Sequence, residues 1–138
     1  MTGVQTCALP ISALRASDAD LAALQVLHDK LARHAKARRI TDYYVANLAV
    51  HEAIILLANN RWLSQVIGDL RKILKLARLQ SLQAAGRMEQ SFNEHMAVFA
   101  ALKARDSEGA EAAMRTHLTR QREALRELTR KHVSRVQA

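Results

Sequence analysis

Apolar residues recur along most of this chain at the three- and four-residue spacing of helices that bury one face. Five such segments can be read. The first, roughly 18–37, carries the stripe Leu21, Leu24, Leu27 and Leu31, with Ser17 or Asp18 placed to cap it. The second, roughly 42–58, has Thr41 as its expected cap and Asn59-Asn60 as its stop, and Tyr44, Leu48, His51 and Ile55 share one face. The third, roughly 61–83, shows a broad apolar face in Leu63, Val66, Ile67, Leu70, Ile73, Leu74 and Leu76. Gly86 marks a break before the fourth, roughly 88–104, where Phe92, Met96, Phe99 and Leu102 are expected inward and His95 falls in line with Phe92, Phe99 and Leu102. Asp106 and Ser107 are placed to cap the fifth, roughly 107–133, along which Ala110, Met114, His117 and Gln121 keep the same rhythm. No proline follows position 10, so long helices meet no breaker. Short connections make consecutive helices antiparallel neighbours. The predicted fold class is all-α, an antiparallel helical bundle of about five helices.

Composition supports this. The 138 residues allow one domain, and a chain that is 49% hydrophobic but only 4% aromatic suits a bundle better than a sheet. The apolar stretches are expected to be too short to span a bilayer. The single cysteine, Cys7, allows no internal disulfide and fits a reducing compartment, the cytoplasm. A net charge of +8 points toward an acidic partner. The charge is densest at Arg120, Arg122, Arg126, Arg130, Lys131 and Arg135, where Glu123 and Glu127 can pair locally. Two readings of this run stand: a solvated basic surface, or a nucleic-acid-binding helix. No recognition helix, zinc knuckle or aromatic platform accompanies it.

Met1 to Ser12 reads MTGVQTCALPIS and stands apart. It holds the chain's one Cys and one Pro and no charged residue. It lacks the basic start and sustained apolar run of a signal peptide. The string resembles the in-frame translation of a common short-read sequencing adapter. The expectation is therefore a non-native segment over 1–12 joined to a truncated domain over 13–138, with Cys7 carrying no function.

His51, His95 and His117 fall on the inward stripes of three different predicted helices, each two or three turns from the helix start. Asn47 lies one turn before His51 on the same face. His34 and His132 sit at helix ends among basic residues, where exposure is expected, and nothing in the pattern singles out His28. Hydrogen-bonded core histidines would explain the trio. So would a divalent cation, which would satisfy three buried imidazoles at once; leaving them unpaired costs about 1–3 kcal/mol each. Imidazole suits zinc, nickel, copper or iron, with Asn47 able to add a carbonyl oxygen. A metal-dependent enzyme would need a general base beside the site. Glu52 and Glu94 are expected to point off the inward stripes, which leaves no such base.

The segments around these residues carry a family resemblance. Asn47-Leu48-Ala49-Val50-His51, followed by Ala58-Asn59-Asn60-Arg61-Trp62-Leu63, is similar to the "D/N-x-x-F-H … A-x-x-N-x-x-L" segment of FCD domains. Ser91-Phe92-Asn93-Glu94-His95 matches their "S-x-x-E-H". The run from Ala101-Leu102 through Asp106, Ala110 and Ala113-Met114 to His117-Leu118 matches a third segment, and order and spacing agree over about 20–125. FCD domains are the C-terminal effector-binding domains of GntR-type transcription regulators of the FadR subfamily. The resemblance implies a helical bundle that holds a divalent metal, zinc or nickel, through Asn47, His51, His95 and His117. It implies a small organic acid as effector, met by Arg87 and with Asn60 at a recurring family position, in a cytoplasmic homodimer. DNA would be bound through a winged helix-turn-helix domain outside this chain. The sequence departs from the family in having Asn47 where Asp is frequent and Val50 where Phe is usual. The family's first helix, with its Arg-x-x-Leu-Glu opening, is not seen, so the expected fold is an FCD-like bundle without it.

Overall fold

The computed structural model describes residues 8–136, with side chains over 10–134. Cys7, most of the adapter-like segment and the side chain of Arg135 lie outside these. Among the described residues there are six helices and no strand: α1 (Ala8–Arg15), α2 (Asp18–Lys36), α3 (Ile40–Leu57), α4 (Arg61–Leu82), α5 (Arg87–Lys103) and α6 (Ser107–Val136). The last five follow the periodicity of the sequence to within a few residues. α1 is additional and packs against α3 and α6. Within it Ser12 is buried and donates its hydroxyl to the Ile54 carbonyl at 2.8 Å, and Ala13 is fully buried. The described end of the 1–12 segment is thus part of the core.

Helix ends explain the sharp turns. Ser17 caps α2 with a reciprocal bond to Asp20, a capping box. Asn60 caps α4 by accepting from the Leu63 amide at 3.1 Å. Asp106 accepts from the Gly109 amide at 2.9 Å at the start of α6. α3 starts at Ile40, before the expected cap Thr41, and no side chain caps it. At the end of α2, Arg38 takes a left-handed conformation (φ 52°), and Arg39 N–H reaches back to the His34 carbonyl at 3.0 Å. Arg105 (φ 58°) and Asp106 close α5 in the same way. These are Schellman turns with arginine where glycine is usual.

α3 is the central helix. Its buried residues include Tyr43, Tyr44, Asn47, Val50, His51, Ile54 and Ile55, which together make one broad face of the helix. Contrary to the sequence-based expectation, α3 is long and apolar enough by composition to cross a membrane. Its burial between α1, α2 and α4 accounts for that composition. α4 also departs from its pattern. It turns Ile67, Arg71, Arg78 and Leu82 inward, while Ile73 (79% exposed), Leu76 (69%) and Trp62 (68%) face outward.

Candidate metal centre

His51 of α3, His95 of α5 and His117 of α6 meet in the middle of the bundle. All three are buried, and their candidate ligand atoms lie within 4.8 Å of one another. Ring centroids are separated by 4.8 Å (His51–His95), 4.5 Å (His95–His117) and 5.3 Å (His51–His117). Nitrogens bound to a tetrahedral zinc sit about 3.4 Å apart, so the rings need to close by little more than about 1 Å.

The hydrogen-bond accounting favours a cation. His51 Nε2, His117 Nε2 and both ring nitrogens of His95 are buried without any partner. Asn47, one turn before His51, is 4% exposed, and its Oδ1 is equally unpartnered. Burial pushes the His51 and His95 imidazoles well below their ordinary value, helped by the nearby Arg71, Arg78 and neighbouring histidines. Burial also lowers His117, although Glu94 opposes it. Neutral rings with free lone pairs are what a transition metal takes, with no proton to displace.

Glu94 corrects the sequence reading. It is not off the inward stripes but buried, and its Oε2 meets His117 Nδ1 at 2.7 Å. Arg87 donates to both Glu94 oxygens at 3.2 Å, and Arg120 stands 3.5 Å away. Burial alone would raise the Glu94 carboxyl, but the His117 hydrogen bond, followed by the hydrogen bonds and charge of Arg87, outweighs it and holds the group ionised. With a carboxylate on Nδ1, that nitrogen keeps the proton and Nε2 presents its lone pair to the centre.

Other expected site residues are placed differently. Arg87 is buried, and its guanidinium is committed to Glu94 and Gln90. Asn60 is exposed at the start of α4, where it serves as the cap. Ser91 accepts a hydrogen bond from Tyr43 at 3.0 Å, tying α5 to α3. His28, which no pattern singled out, is 1% exposed. It stacks on Phe99 at 4.3 Å, with Nδ1 2.8 Å from the Leu24 carbonyl.

Two residues escaped the sequence reading altogether. Arg71 (7% exposed) and Arg78 (1%) enter the bundle from α4. Arg78 donates to Gln121, but its Nε and Nη1 have no acceptor, and neither do Nε and Nη2 of Arg71. Among the described residues no carboxylate is bonded to either. Burial lowers both guanidiniums, Arg71 to about 9, which still leaves it charged at neutral pH. Their spacing of seven residues, in register with Ile67 and Leu82, was the available signal.

The FCD domain family matches residues 5–120, and the chain belongs to that family, the effector-binding domains of GntR-type transcription regulators. Among solved structures, E. coli McbR/YncC is similar, with a TM-score of 0.83 at 21% identity over 93% of this chain. At that identity the likeness is one of fold. The chain spans 61% of the length of that protein. No curated protein sequence matches it significantly.

Proposed function

We propose that this domain senses a small carboxylate metabolite at a metal held by His51, His95 and His117, with Asn47 as a fourth, neutral donor. One observation carries the reading. Among the described residues, every buried side-chain nitrogen or oxygen without a partner belongs to these four residues, to His28, or to Arg71 and Arg78. Four neutral donors and two guanidiniums with no bonded carboxylate among the described residues form a cluster whose lone pairs suit a cation and whose charges suit an anion.

A divalent metal, zinc or nickel, would supply a Lewis-acidic anchor for an oxyanion there. The chain's own residues do the rest. Glu94 fixes the His117 tautomer, and Arg87 and Arg120 fix Glu94. Arg78 offers two unpaired N–H-bearing nitrogens to a carboxylate and so takes the charge-assisted contact that the family pattern assigns to Arg87. An anion on Arg78 favours one position of α4 against α3 and α6. In a cytoplasmic, dimeric parent regulator that shift would be relayed to a winged helix-turn-helix domain and to DNA. A catalytic reading gains little from Glu94, because both its oxygens are already engaged by His117 and Arg87.

The test is calorimetry on metal-stripped protein with zinc and with nickel. One ion per chain is expected, with uptake lost in His95→Ala. No heat from either metal, with the fold intact by circular dichroism, would remove the metal from the reading.

A further inference from the structure

A groove of about 290 Å³ runs between α3 and α4 on the outside of the bundle. Leu48, Ile55 and Leu56 form one wall, and Ile67, Gly68 and Arg71 form the other. The lining residues Leu48, Glu52 and Ile55 on α3, and Gly68, Arg71 and Lys75 on α4, recur at three- and four-residue spacing, so the groove follows two facing helix surfaces.

Gly68 is the first anomaly. Glycine inside a helix is unfavourable, and here no close packing requires it: a Cβ built on Gly68 meets nothing within 4 Å. The space that side chain would occupy is the groove itself. Arg71 is the second anomaly. It lines the groove, yet its side chain is almost wholly buried, with Nε and Nη2 lacking any acceptor. Lys72 and Lys75 add cations along the same wall. Lys72 is paired with Asp69 at 3.1 Å, and Glu52 on the α3 wall is the one acid lining the groove. The groove is therefore apolar with an excess of positive charge; the Glu52 charge acts on Arg71, but among the described residues no carboxylate is hydrogen-bonded to its Nε or Nη2.

We propose that this groove takes the apolar body of a carboxylate ligand, with the carboxylate on Arg71. The ligand class is an aliphatic or aromatic monocarboxylate, since Glu52 opposes a second negative charge on the facing wall. This inference rests on the reading of the domain as a carboxylate sensor, but not on the metal. It adds, beside the oxyanion position proposed at the metal and Arg78, a second carboxylate position whose ligand has an apolar body.

The experiment compares acetate with hexanoate by calorimetry on wild type, Gly68→Leu and Arg71→Met, each metal-stripped and each zinc-loaded. Each buried methylene is worth about fourfold in affinity, so hexanoate should bind at least tenfold more tightly than acetate. Gly68→Leu, which fills the groove and improves the helix, should abolish that preference while leaving zinc uptake unchanged. Arg71→Met should weaken both acids. Equal affinity for the two acids in wild type, binding of neither, or an unchanged preference in Gly68→Leu would each overturn the proposal. Protein that takes up no zinc but still prefers hexanoate in a groove-dependent way would support the groove and sink the metal alone. Protein that takes up zinc without discriminating would sink the groove alone.

Discussion

At Glu94 one carboxylate faces a guanidinium and an imidazole in a space nearly closed to water; its side chain is 3% exposed and that of Arg87 7%. Removing the charge leaves Arg87 buried against a neutral amide, and breaking a buried pair from one side costs about 3–5 kcal/mol. An amide can also donate to His117 Nδ1, which would move the ring proton to Nε2 and block the lone pair. For Glu94→Gln we expect metal-free stability to fall by about 3 kcal/mol in urea unfolding and zinc affinity to fall about 10- to 100-fold in chelator competition. An unchanged zinc affinity would mean that His117 does not depend on Glu94 for its tautomer. The histidines also make the metal-free fold sensitive to acid. In the unfolded chain they titrate near 6.5, whereas burial holds His51 and His95 well below that in the fold. As pH falls through about 6.5 the unfolded chain takes up protons that the fold refuses. Stability is therefore present above that pH and declines below it, by about 1.4 kcal/mol per pH unit for each such histidine. A urea midpoint that stays flat from pH 7 to 5.5 would show that the rings take up protons in the fold as readily as in the unfolded chain.

At the level of elements, what the sequence revealed depended on how each helix buries its surface. α2, α5 and α6 bury one arc, and their stripes were legible from spacing, as were the caps of α2 and α6. The three histidines were legible for the same reason, as polar residues in register with apolar ones. Glu94 was misjudged because the buried arc of α5 is wide: Arg87, Ser91, Glu94 and Val98 form a second inward row beside Met88, His95 and Phe99. The two-turn spacing of Arg87 and Glu94 was the overlooked signal. α4 misled more seriously, because the usual assumption that apolar residues face in and arginines face out is reversed along part of its length. α1 was missed because the composition of the 1–12 segment set it apart from the domain it packs on. Helix ends offer a further check. Arg38 holds a left-handed conformation that glycine adopts without strain, and its ion pair with Glu89 is long and exposed. Arg38→Gly is expected to raise stability by about 0.5–1 kcal/mol, the usual scale of a left-handed side-chain penalty less glycine's extra unfolded entropy. A loss of stability in thermal melts would show that the Glu89 contact outweighs the backbone.

Across the whole molecule, α4 is the layer held least well by its own side chains. The interior of the bundle is closed by α3, α5 and α6, which carry the histidines, and by α1 and α2 packed on them. α4 instead contributes two guanidiniums with no carboxylate hydrogen-bonded to them among the described residues and leaves Trp62, Ile73 and Leu76 in solvent. Its packing therefore adds less apolar burial and carries an unpaid electrostatic penalty, the conditions under which a segment opens locally. An anion that pairs with Arg71 or Arg78 removes that penalty in the docked position and not in the open one, so it must shift the balance toward docking. We expect hydrogen exchange to show α4 amides exchanging faster than those of α3 and α5 in the free protein. Saturating hexanoate should slow exchange across Arg61–Leu82 while leaving the interior of α2 nearly unchanged. Zinc alone should protect α3, α5 and α6 around the histidines and act on α4 less. Exchange in α4 as slow as in α3 without any anion would mean that the helix is docked regardless of its unpaired arginines. The carboxylate would then be bound without moving the element proposed to carry its signal.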